Sequence, residues 1–166
     1  MVGAEAEETP ISGTELRSVL GRVPTSVGVV AGTGPDGTPV GLTIGTFTSV
    51  SLSPPLIAFC PGGNSTSWPK IRPMGRFCVS LLAADQDGVC AVFASKQPDK
   101  FAGLRWDLGR NGAPRLDGAV AWVECDIQHE YDAGDHTLVI GRVTALEAGT
   151  GCAPMVFLGG RYLGVH

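Results

Sequence analysis

The chain has 166 residues, 43% of them apolar and 17% charged, which is enough to bury a core and too apolar for a disordered segment. Its net charge of −4 excludes a protein that grips nucleic acid through a broad basic face. No apolar run reaches the roughly 18–20 residues that cross a bilayer, and the acidic start "MVGAEAEETPISG" lacks a basic-then-apolar leader. A cytoplasmic protein is therefore expected, with residues 1–13 as a flexible tail and 14–166 as one domain.

Ser12 and Glu15 form a capping box, and Leu16, Val19, Leu20 and Val23 then repeat at helical spacing, which predicts a short amphipathic helix ended by Pro24. A strand follows over 26–33, then the turn "GPDGTP", then a returning strand over 40–52. Gly32, Gly34 and Gly37 fit a dinucleotide fingerprint by spacing. That motif needs a helix directly after it, and here Thr38-Pro39-Val40 lead into a strand, so the turn reading wins. Residues 56–60 and 76–82 read as apolar strands, with "NSTSWPKI" between them as a loop entering one helical turn capped by Ser65 or Thr66. Asp85 is expected to cap a helix closing near Ser95. Residues 119–128 alternate as a strand that would place His129 at its end, "HTLVIGRVTALEA" is a long strand, and "MVFLGGRYLGV" is the last. With 24 glycines, 12 prolines and about seven strands, the chain reads as mainly β, a barrel with Greek-key links and a few short helices.

Four stretches could carry chemistry. In "GLTIGTFTSVSL", a continuous strand would set Leu42, Ile44, Thr46, Thr48, Val50 and Leu52 on one face and Thr43, Gly45, Phe47, Ser49 and Ser51 on the other. Hydroxyls and a glycine suit the polar edge of a flat ring, but they also suit a solvent-facing strand. "PGGNSTSW" offers hydroxyls and amides at a helix start, fit for an anion or for an ordinary capped loop. "SKQPDKFAG" sets Lys96 and Lys100 beside Phe101, either holding a phosphate or simply solvated. "AGDHTLVIG" presents His136 at a strand mouth; His166 is the terminal residue. The five cysteines, Cys60, Cys78, Cys90, Cys125 and Cys152, are scattered and odd in number, with no C-x-x-C pair, so neither a disulfide framework nor a structural zinc site is expected. No Ser-His-Asp or Cys-His spacing suggests a hydrolase.

Taken in order, "LGRVPTSVGVVAG", "GLTIGTFTSVSLSPPLIAFC", "NSTSW", "GRFCVSLL", "KQPDKFAG", "LDGAVAWVEC", "GDHTLVIGRV" and "GRY" resemble the flavin reductase-like family, the small reductase components of two-component flavin-dependent monooxygenases. The matching pieces span Leu16 to Tyr162. The resemblance implies an FMN-binding split β-barrel with Greek-key topology, a homodimer, and an NAD(P)H:flavin oxidoreductase that hands reduced FMN or FAD to a separate monooxygenase. NADH or NADPH would be the hydride donor. It also implies the site: Thr43, Ile44, Gly45 and Thr46 at the flavin ring, with Cys60, Asn64, Ser65, Thr66 and Ser67 along the ribityl chain and phosphate. Lys100 and Phe101 would close the far side, and His136 would act at the nicotinamide, with Arg161 and Tyr162 in the same pocket. Ile44-Gly45 stands where the family usually has a small residue and then a polar one, and Ser26 replaces a glycine. Two alternatives stay open: a flavin-binding module without NADH turnover, and a flavoprotein that reduces another acceptor such as ferric iron.

Overall fold

The computed structural model describes residues 10–149 and 153–164; Cys152, His166 and the first nine residues of the expected tail lie outside them. In chain order the elements are α1 (Gly13–Leu20), β1 (Thr25–Ser26), β2 (Gly28–Thr33), β3 (Pro39–Ile44), β4 (Thr48–Leu52), β5 (Pro55–Phe59), α2 (Trp68–Ile71), β6 (Arg76–Leu81), α3 (Asp87–Ala94), β7 (Trp106–Leu108), β8 (Pro114–Leu116), β9 (Ala121–Ala133), β10 (His136–Ala148), β11 (Met155–Leu158) and β12 (Arg161–Gly164). The protein is mainly β, with one short 3-10 turn following α2.

Seven strands form the main sheet in the order β3-β2-β6-β9-β10-β5-β4, all neighbours antiparallel. Its two outermost strands, β3 and β4, are consecutive in the chain and joined by only Gly45, Thr46 and Phe47. Six flat inter-strand spacings would separate those edges by about 29 Å, whereas four residue steps reach at most roughly 14 Å. The sheet is therefore strongly curled, with the end of β3 and the start of β4 brought within about 14 Å of each other. A single apolar cluster lies within the curl, with Val30 from β2, Leu42 and Ile44 from β3, Phe59 from β5, Phe77 from β6 and Val139 from β10. A second cluster covers the other side of β2: Val29 and Ala31 pack there with Phe93 of α3, Phe101, Leu116 and Met155. Successive residues of β2 thus feed opposite cores, as the two-residue strand period requires.

Several sequence expectations change here. The expected strand over 40–52 is two strands, because its first half pairs with β2 and its second half crosses to pair with β5. The period of two does not survive the crossing: Leu42 and Ile44 are buried, while Val50 and Leu52 are 50% and 91% exposed. The last strand is a hairpin, β11–β12, turned at Gly159-Gly160, whose positive φ values of 57° and 80° suit glycine. It joins β1 in a separate three-stranded sheet. His129 sits inside β9, because pairing with β10 continues to Ala133. Asp85 caps nothing; α3 starts after Gln86, whose buried side chain accepts from Ala83 N at 2.9 Å and donates to Asp117 O at 2.8 Å. The small β7–β8 pair was not expected at all.

The capping box is present as read: Ser12 Oγ accepts from Glu15 N, and Glu15 Oε2 accepts from Ser12 N at 2.9 Å. Yet α1 buries none of its residues, and Leu16, Val19, Leu20 and Val23 are all at least half exposed. Among the described residues no helix is long and apolar enough to cross a membrane.

Candidate functional site

The segment that crosses between the sheet edges anchors the first group of expected residues. Thr46 Oγ1 accepts from Cys60 N at 2.8 Å, tying the crossing to the end of β5. The next residues lean on the β9–β10 hairpin: Thr137 N donates to Pro61 O at 3.0 Å, and Gly63 N donates to Asp135 O at 2.8 Å. A Cβ built on Gly62 would lie 3.1 Å from Asn64 Oδ1 and 3.8 Å from His136 Nε2. Thr46, Cys60, Asn64 and His136 are therefore held together at one end of β5 and β10. The His136 ring is fixed by its neighbour, with Asp135 Oδ1 2.7 Å from Nδ1. That contact holds the Asp135 carboxyl below its ordinary range.

The second group lies across β3. Thr43 Oγ1 donates to Cys90 O at 3.0 Å, and the Tyr162 phenol lies near the same cysteine. The neighbouring Cys90 and partial burial push the phenol up to about 12. Arg161 beside it is exposed and joins no ion pair among the described residues. No hydrogen bond among the described residues joins Arg161 or Tyr162 to His136.

Ile44 and Gly45 stand between the two groups. The Ile44 side chain is 4% exposed and packs into the inner core, so only its main chain can meet a ligand. Gly45 has no positive φ, and a Cβ there would meet a single atom, Thr25 Oγ1, at 3.5 Å, an ordinary contact. Neither backbone nor packing demands a glycine here. Its missing side chain leaves open space beside the strand.

A cleft of about 600 Å³ lies farther back along β3, walled by residues 38–41, by Thr66, Ser67 and Lys70, and by the loop 96–102 with Trp106. Ligand clefts in proteins run from about 300 to 1,000 Å³. Lys100 Nζ donates to Phe93 O at 2.8 Å and reaches Gly41 O at 3.5 Å, so it staples the loop to α3 and β3. Burial pulls the Lys100 ammonium below its ordinary range. Phe101 is buried, packed edge-on against Phe93, and offers the cleft only its margin. Ser65 Oγ accepts from Trp68 N at 3.1 Å, and α2 has only four residues, so the expected anion attraction of a helix start has little dipole behind it. Lys70 and Trp106 line this cleft and Thr25 stands beside Gly45, and nothing local in the sequence marks any of them.

Known proteins settle the family. The family model for the flavin reductase like domain matches residues 20–166. This chain belongs to the flavin reductase-like family. It is 47% identical over 163 residues to a flavin reductase of Pseudomonas putida, covering 98% of this chain and 96% of that protein. It is 41% identical over 164 residues to HsaB, the reductase subunit of a flavin-dependent monooxygenase of Rhodococcus jostii, covering 99% and 83%. The NADH:FAD oxidoreductase SgcE6 of Streptomyces globisporus, solved in complex with NAD and FAD fragments, superposes with a TM-score of 0.86 at 39% identity, covering 92% of each chain.

Proposed function

We propose that this chain is an NAD(P)H:flavin oxidoreductase that reduces FMN or FAD for a separate monooxygenase. The observation that carries the reading is Gly45, a glycine that neither conformation nor packing requires, set between the Thr43 and Thr46 hydroxyl groups. A flat ring can lie against that gap, with the main chain of Ile44 at its edge and the Cys60–Ser67 segment along its tail. When bound, the two cofactors supply the chemistry, a hydride passing from C4 of the nicotinamide to N5 of the flavin ring. The protein's part is to hold the two ring faces together in reacting geometry, which is worth far more than any general base to a hydride transfer. His136, fixed by Asp135, orients the nicotinamide from the hairpin end. Arg161 and Tyr162 would approach the same pocket from β12.

The same reading takes residues 14–166 as one split β-barrel, supported by the three-residue link between the edge strands β3 and β4 and by the apolar cluster shared by β2, β3, β5, β6 and β10. It also makes the protein a homodimer, since the exposed apolar stripe of α1 and the exposed Val50 and Leu52 of β4 are surface that a second copy would cover. Four cysteines free of disulfides, Cys60, Cys78, Cys90 and Cys125, fit a cytoplasmic setting. The test is NADH oxidation followed at 340 nm with purified protein and excess free FMN or FAD. Multiple turnover is expected. Tight flavin binding without turnover would instead make the chain a binding module, and turnover only with ferric chelate would make it a reductase of another acceptor.

A further inference from the structure

We propose that Thr25 is a further contact of the flavin ring, its hydroxyl carried by β1 to the gap beside Gly45 and bonded there to the polar edge of the ring. The assignment rests on the reductase reading above, but its test needs no turnover. Apart from Gly45 and its two chain neighbours, Thr25 Oγ1 is the one heavy atom within 4 Å of the place a Gly45 Cβ would take, at 3.5 Å. A polar ring atom in that place lies within about half an ångström of hydrogen-bond length, roughly 2.7–3.2 Å. The hydroxyl groups of Thr33, Thr43 and Thr46 are each bonded to a main-chain group. That of Thr25 has no partner among the described residues, although the residue is half-buried. Every fully buried side-chain nitrogen or oxygen among those residues is bonded, so the Thr25 oxygen opens to the gap and is available to a ligand.

The small sheet accounts for this aim. β1 has only two residues and is laddered to β11, with Thr25 opposite Phe157 and Ser26 opposite Val156. Phe157 in turn stands opposite Tyr162 of β12, their rings 5.3 Å apart. Directly paired residues share a face, so Thr25, Phe157 and Tyr162 form one row across the sheet. Met155, two residues before Phe157, lies on that same face and is buried with Val29 and Phe93 in the outer core. The row is therefore turned toward β2 and α3. A threonine serving only strand propensity would use its branched shape. Here the oxygen, not the methyl, is the atom set beside the gap. A hydroxyl also both donates and accepts, so one side chain serves a ring nitrogen that accepts when oxidised and carries a proton when reduced.

Two variants separate the oxygen from the shape. Thr25→Val keeps the branched shape and removes the hydroxyl; Thr25→Ser keeps the hydroxyl and lowers strand propensity. With FMN as the probe, affinity read by quenching of flavin fluorescence should fall roughly three- to tenfold in Thr25→Val, the scale of one neutral hydrogen bond. Thr25→Ser should bind FMN as wild type does, and the thermal midpoint of Thr25→Val should be unchanged. Repeating the titration with deaza-FMN, in which carbon replaces N5, assigns the ring atom. A loss confined to FMN sets the hydroxyl at N5; an equal loss with both ligands sets it at the carbonyl edge. Unchanged FMN affinity in Thr25→Val, or a loss in Thr25→Ser alone, overturns the proposal and leaves Thr25 a strand residue. NADH oxidation that persists in that case leaves the reductase reading standing. Affinity lost in Thr25→Val of a protein that oxidises no NADH keeps the contact and removes the reductase reading, and a wild-type protein that binds no FMN overturns both.

Discussion

Gly41 lies within the edge strand β3 and Gly45 just past its end, and the two are glycines for opposite reasons. A Cβ at Gly41 would fall 2.5 Å from Phe93 Cε1 and 2.8 Å from Cδ1, inside the packing of α3 on β3. A Cβ at Gly45 would touch only the Thr25 hydroxyl, at 3.5 Å. The first residue lets the core close. The second leaves a gap that the fold does not use. A glycine is informative about a ligand only where the protein itself could have tolerated a side chain.

The largest effect expected from that contrast is in stability. Gly41→Val should cost about 1–3 kcal/mol or more through overpacking against Phe93, seen as a fall of several degrees in thermal midpoint. A midpoint within a degree of wild type would mean α3 yields easily and the contrast is not one of packing. Next comes His136→Ala, which should lower the rate of flavin reduction by about tenfold to a hundredfold, the scale of lost positioning, while flavin affinity falls much less. Equal losses in both would remove His136 from the nicotinamide side. Thr46→Val keeps the shape of the crossing segment but leaves Cys60 N without its acceptor, at a cost of about 1–2 kcal/mol. Denaturant unfolding with and without flavin would show whether that loss falls on the fold or on the site.

The smallest effect concerns pH. The Asp135 carboxyl lies below its ordinary range because it bonds the His136 side chain, so its contribution is present above the unfolded aspartate pKa, about 3.9, and is lost as pH falls through the lowered folded value. The difference in thermal midpoint between wild type and Asp135→Asn should therefore shrink as pH falls through the aspartate range. A difference that grows on acidification would reverse the sign of the link.

What the sequence showed of this molecule was local chemistry. The Ser12–Glu15 box, the Gly34–Thr38 turn and the strand from His136 to Ala148 stand where the residues put them, because each is decided by neighbours in the chain. The break at Gly45–Phe47 was hidden by its own pattern: alternation of apolar and hydroxyl residues runs straight through a segment that leaves one edge of the sheet for the other. The Gly159-Gly160 turn was likewise absorbed into a single strand. At the site, the four stretches could be quoted from the sequence, but the neighbourhood of Thr46, Cys60 and His136 arises only from pairing across β5, β9 and β10. The cleft was illegible for a similar reason, since Lys70 and Trp106 look like surface residues until β3 and the loop 96–102 bring them to one cleft.

The most direct measurement is flavin affinity in Gly45→Val, read by quenching of flavin fluorescence alongside the thermal midpoint. With the ring lying against the gap, the midpoint should stay within about a degree of wild type, as for a surface change, while affinity for both FMN and FAD falls at least tenfold. An unchanged flavin affinity in a protein equally well folded would contradict the placement of the ring against this strand.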